Sequence, residues 1–259
     1  MLTISKRLRF LISSVILLFG FTGIQFLDEK YKFLGIGLLV LITGTLSVWS
    51  FFEGLGKDMT MASLILPMLY TLGVGIFWFL LPASLYTRIP IIIIYTSGIY
   101  VLLSTMNIYT VSSSKTIALL RAARGVGFVL TLVTSFLLYD AILSIRQNIL
   151  ISSPLIFLTS ILLFLQGFWS IDLEKKLDKS IANLSFVSSL IVTELSILIF
   201  FWPVTVVVGS LFLTSGVYLL LGLGQTKLED RLFPGAIREY LTVGFIVLLG
   251  MFFATQWGK

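Results

Sequence analysis

The feature that most constrains this chain is a repeated one. Runs of about twenty apolar residues follow one another from end to end, separated by short polar gaps. A run of this length matches the roughly 20 residues a helix needs to cross a hydrocarbon core of about 30 Å. Nine such runs can be marked, at about 10–27, 33–52, 60–81, 89–108, 118–139, 149–170, 183–202, 204–224 and 238–257. Backbone N–H and C=O groups find no water partners inside a bilayer, so spans are helices or closed barrels. Barrel strands alternate apolar and polar residues over about ten positions, and these runs do neither. The expected fold is all-α: a polytopic transmembrane helical bundle of about nine spans.

Composition agrees. Only 12% of the 259 residues are charged, about half the share that clothes a water-soluble domain. Cysteine and histidine are both absent. That excludes thiolate nucleophiles, disulfides, Cys or His metal ligation and histidine acid–base chemistry. No cofactor and no metal are expected. The net charge of +6 sits in short clusters between runs, which points to membrane topology rather than nucleic acid. The first run follows KRLRF, the charge pattern of a signal peptide. Its apolar part is too long for one and no small-x-small site follows, so a retained first helix is expected.

Lys and Arg set the orientation. With the N-terminus inside, the cytoplasmic segments hold thirteen of them and the opposite side five. This bias fits the positive-inside rule and gives N-in, C-out. The joint at Trp202–Pro203 is the tightest. A re-entrant hairpin over 183–224 is the alternative there. Pro67 falls inside the third run. Pro82, Pro90, Pro154 and Pro203 fall at or near run ends, where a missing N–H costs little.

A second regularity is internal. YTSGIYVLL at 95–103 returns as LTSGVYLLL at 213–221, an offset of 118 residues. LITG at 41–44 and FLTS at 157–160 pair at an offset of 116, and FWFLLP and LIFFWP at 121. The simplest account is a tandem duplication of a four-helix unit: residues 1–115, then 116–230. An interfacial segment and a ninth helix complete the chain at 231–259. Even-numbered units keep one orientation, as in parallel repeats of some transporters.

Three groups of residues could carry function. Thr96, Ser97 and Tyr100, with their counterparts Thr214, Ser215 and Tyr218, are either helix-packing small residues or symmetry-related hydroxyls facing a cavity. Glu194 is a formal charge near the middle of a run. Such a group costs about 2.5–3.5 kcal/mol to insert, so it must be partnered or carry its proton. Thr193, Ser196, Ser188 and Ser189 are its sequence neighbours. Lys115, Arg121 and Arg124 form a cytoplasmic basic cluster suited to anionic lipid headgroups, with Glu53 near the same surface. Asp28, Glu29 and Asp140 hint at an acidic rim on the opposite side. The loop 171–180 mixes charge signs as a solvated turn does, and 225–240 reads as a segment lying on the leaflet.

No phosphate loop, nucleophile elbow or paired intramembrane carboxylates are present, and the gaps leave no room for a soluble catalytic domain. The expected role is therefore a non-enzymatic scaffold or complex subunit of the cell inner membrane. Its partners would be anionic lipid and either another membrane protein or a second copy. A carrier of a small or lipidic solute, with Glu194 as its protonatable site, is the alternative. An intramembrane lipid-modifying enzyme comes third.

Overall fold

The computed structural model describes residues 5–52, 60–82, 84–112, 118–145, 148–173 and 178–255. Among them are nine helices and no strand: α1 (Lys6–Ile24), α2 (Glu29–Phe51), α3 (Thr60–Leu80), α4 (Leu85–Ser112), α5 (Leu120–Ser144), α6 (Ile149–Asp172), α7 (Lys179–Phe200), α8 (Val206–Leu228) and α9 (Pro234–Ala254). All nine are long and apolar enough to cross a membrane. This is a multi-pass membrane protein by length and composition of its helices.

The helices overrun several of the apolar runs. α4 extends four residues beyond 89–108 at each end, so Pro90 lies inside it. Pro154 lies inside α6 in the same sixth position. Helical hydrogen bonding continues past the hydrocarbon edge, and a proline that close to the N-terminus forfeits only an early bond. The Trp202–Pro203 joint separates two helices of 22 and 23 residues, each about 33 Å long. Thr205 caps α8 by accepting from the Val208 N–H at 3.5 Å, and the Trp202 Nε1–H donates to Thr255 Oγ1 at 2.8 Å.

The stretch 225–240 is divided. Its start finishes α8, Glu229–Phe233 turns, and Pro234 opens α9 at the helix position where proline fits best. Asp230 takes a left-handed backbone (φ 54°), and the Arg231 N–H returns to the Thr226 carbonyl at 2.9 Å. This is a Schellman stop.

The chain forms two compact units. One holds Met1–Leu130 with 173–176, the other Thr131–Asp172 with 177–259. In the first unit α1 packs on α2 and α4, and α3 on α2 and α4. An aromatic cluster fills it: Phe21 stacks on Tyr95 at 4.5 Å and meets Trp78 edge-on at 5.4 Å. Buried hydroxyls link neighbouring helices, Ser13 to Ser50 at 3.0 Å and Thr43 to Thr71 at 3.1 Å.

In the second unit α6, α7 and α8 pack mutually and α9 lies on α8. Tyr139 and Ser160 share a hydrogen bond at 2.8 Å, and Thr131 Oγ1 donates to Gln166 Oε1 at 3.5 Å. Thr131 lies 118 positions after Ser13 and Gln166 lies 116 after Ser50, so each unit carries such a bond at corresponding places in the sequence.

Candidate functional site

The second copy of the Thr-Ser-Gly stretch and Glu194 both lie in the second unit, but on surfaces of different character. The hydroxyls of this motif are consumed locally. Thr96 Oγ1 donates to the Ile92 carbonyl at 2.8 Å and Ser97 Oγ to that of Ile93 at 2.7 Å. Thr214 and Ser215 likewise donate to Ser210 and Phe212. A hydroxyl bonded to its own helix backbone has used its one donor. The glycine of the motif serves packing. Gly98 gives way to the Tyr70 ring, whose hydroxyl donates to the Ile94 carbonyl at 2.9 Å, and a Cβ on Gly216 would come within 3.1 Å of the Leu195 side chain.

Tyr100 is 38% exposed. With Thr96 and Ser97 it lines an open, almost wholly apolar groove of about 490 Å³ between α1 and α4. Tyr218 has a different neighbour, the ring of Tyr240 on α9, at 5.3 Å.

Glu194 sits six residues before the end of α7, about 9 Å along its axis. The helix has two faces. Ser185, Ser188, Ser189, Val192 and Ser196 are buried, and Ser185, Ser189 and Ser196 bond their own helix carbonyls at 2.6–2.7 Å. The other face carries Val187, Leu190, Ile191, Ile197 and Leu198, all exposed, with exposed Glu194 among them. Sequence proximity to the serines is therefore misleading, since they face inward and Glu194 faces out. Among the described residues, no hydrogen bond or ion pair reaches Glu194.

The basic cluster is visible in part. Arg121 is exposed and Arg124 half-buried in the first turns of α5. That end of α5 is tied to α4 by the Tyr109 hydroxyl, which donates to the Ala123 carbonyl at 2.9 Å. Lys115 and Glu53 lie outside the described residues. The acidic residues part ways. Asp28 is exposed and Glu29 pairs with Lys32 at 3.8 Å. Asp140 is 5% exposed and accepts from Ser210 Oγ at 3.2 Å.

Sequence reading passed over two intramembrane amides. Gln166 is 1% exposed and bonds Thr131, and Gln225 Nε2 donates to the Gly167 carbonyl at 3.0 Å. Gln166, inside the run 149–170, could have been found by the test that singled out Glu194, whereas Gln225 falls one residue past its run, in the stretch read as lying on the leaflet.

A family model described as a protein of unknown function, DUF5656, matches residues 14–254. The chain belongs to the DUF5656 family. The match begins inside α1 and ends with α9, so what defines a DUF5656 protein includes both compact units and the ninth helix. No curated protein and no solved structure matches the chain.

Proposed function

We propose that this protein is a non-enzymatic subunit of the inner membrane that assembles with a second copy of itself along the outward face of α7. The observation that carries the reading is the place of Glu194. In water an exposed apolar face would call for a partner, but in a bilayer lipid covers it at no cost. A carboxyl on that face is different, because lipid chains offer it no hydrogen-bond partner, and inserting one at a helix centre costs about 2.5–3.5 kcal/mol.

The choice of occupant follows from chemistry. The Lys and Arg residues of the described helices lie within five residues of helix ends, so these helices have no mid-span cation to offer. A protonated carboxyl is both donor and acceptor and therefore complements its own copy. A two-fold axis along the membrane normal brings each Glu194 to the other, in the isologous arrangement commonest for homo-oligomers. The carrier reading has less support, because Glu194 faces away from the interior of its unit. The orientation is N-in, C-out. The matched Ser13–Ser50 and Thr131–Gln166 bonds support a tandem four-helix repeat.

The absence of native cysteine makes the test direct. Single cysteines at Ile197 or Leu198 should give disulfide-linked dimers on oxidation in native membranes, and one at Phe245 on α9 should not. Adding E194L should reduce the α7 dimers by at least several-fold. Monomers from every α7 position would overturn the proposal.

A further inference from the structure

The connections α1–α2 and α3–α4 lie at one end of the first unit, and a cavity of about 220 Å³ opens there. Gln25, Glu29, Lys32, Trp78, Thr87 and Arg88 line it. This is below the roughly 300 Å³ at which small-molecule pockets begin, so it suits a single headgroup rather than a whole solute.

Its charge comes from side chains. Two helix N-termini and two C-termini meet at this end, and their partial charges oppose one another. Two cations against one carboxylate remain. The Arg88 guanidinium lies over the buried Trp78 ring, 5.9 Å from its centre, and no carboxylate of the described residues pairs with it. Lys32 is 26% exposed and sits 5.6 Å from the Phe79 ring centre. Its ion pair with Glu29 is long, at 3.8 Å, and the Glu29 side chain is 96% exposed. An exposed pair of this kind contributes little, so Lys32 is in effect available. Gln25 adds a donor, since its Nε2 is buried without a hydrogen-bond partner among the described residues. Two half-buried cations and an unused amide N–H form a receptor for an anion.

The groove on the same unit gives the anion a tail. On α4 the cavity takes Thr87, Arg88 and Ile91, and the groove begins at Ile92 and ends at Val101. On α1 the cavity takes Gln25 and the groove runs from Leu18 back to Leu11. The nine steps from Ile92 to Val101 advance about 14 Å, close to half of a hydrocarbon core of about 30 Å. That is the depth of one leaflet.

We infer that the first unit binds a lipid with an anionic headgroup, the headgroup held by Lys32, Arg88 and Gln25 and one acyl chain lying in the α1–α4 groove. This site lies at the opposite end of the unit from Arg121 and Arg124. The binding energy is shared: the cations select the charge, and the groove supplies chain contact.

The test uses the full-length protein purified in detergent, with lipid retention measured by native mass spectrometry. Phosphatidylglycerol should be retained at least tenfold more strongly than phosphatidylcholine with the same chains. The double variant K32Q/R88Q should weaken phosphatidylglycerol binding about 25-fold, about fivefold for each cation lost near a headgroup, and leave phosphatidylcholine unchanged. Equal retention of the two lipids by the wild-type protein would overturn the inference, whatever the variant does. Full competition by millimolar inorganic phosphate would also overturn it, by assigning the cavity to a soluble anion.

Discussion

Gly98 and Gly125 are both helical glycines in the first unit, yet their surroundings differ. A Cβ on Gly98 would press into the Tyr70 hydroxyl and ring, and Tyr70 is 1% exposed and held by its bond to Ile94. A Cβ on Gly125 meets nothing within 4 Å. Gly98→Ala should cost about 1–3 kcal/mol, the usual range for overpacking. Gly125→Ala should be neutral or stabilising by up to about 1 kcal/mol through helix propensity. Thermal unfolding in detergent separates them, and equal shifts would deny Gly98 its packing role. The same scale shows why the hydroxyl letters of the sequence were poor guides to a site. Thr96, Ser97, Thr214 and Ser215 each close on a carbonyl of their own helix, and nothing in the letters distinguishes that outcome from a hydroxyl facing a ligand.

Among the elements, α7 is polar inward and apolar outward, the reverse of a helix in water. Its buried serines keep the inward face narrow, and small faces of this kind let neighbouring helices approach where lipid is as apolar as leucine. The existence of the nine helices was legible in the sequence because hydrocarbon forces every backbone group into a helical bond. Their ends were less so. α4 and α5 continue beyond their apolar runs because helix formation stops at turn chemistry, not at the hydrocarbon edge. The face of α7 that carries Glu194 was not read, since an apolar run has almost no polar side for periodicity to mark.

The Ser13–Ser50 and Thr131–Gln166 bonds, one in each unit, make a test at this level. A double-mutant cycle on Ser13 and Ser50 should give a coupling of about 0.6 kcal/mol, and so should one on Thr131 and Gln166, with about 1.7 as the upper bound for such pairs. Coupling in one unit and none in the other would weaken the duplication reading.

At the scale of the molecule, the proposed N-in orientation puts the α1–α2 turn outside and the α8–α9 turn inside. A cysteine at Asp28 should react with an impermeant maleimide applied to intact cells, and one at Asp230 should react only after lysis. Labelling of the Asp230 cysteine alone in intact cells would reject the N-in orientation, and labelling of both would reject the odd number of crossings between them. The two units share their style of packing but not their charges. Glu194 has no acidic counterpart in the third run, and the lipid-sized cavity and groove described above belong to the first unit. Under these two proposals each unit has its own task, one meeting lipid and the other meeting a second copy.

The self-association carries the most weight, and counting subunits in a bilayer tests it most directly. The full-length protein, labelled with one fluorophore per chain and reconstituted at high lipid dilution, should bleach mainly in two steps. E194L should bleach mainly in one step while remaining folded. Single-step bleaching of the wild-type protein, or two-step bleaching that E194L leaves intact, would contradict a dimer built on Glu194.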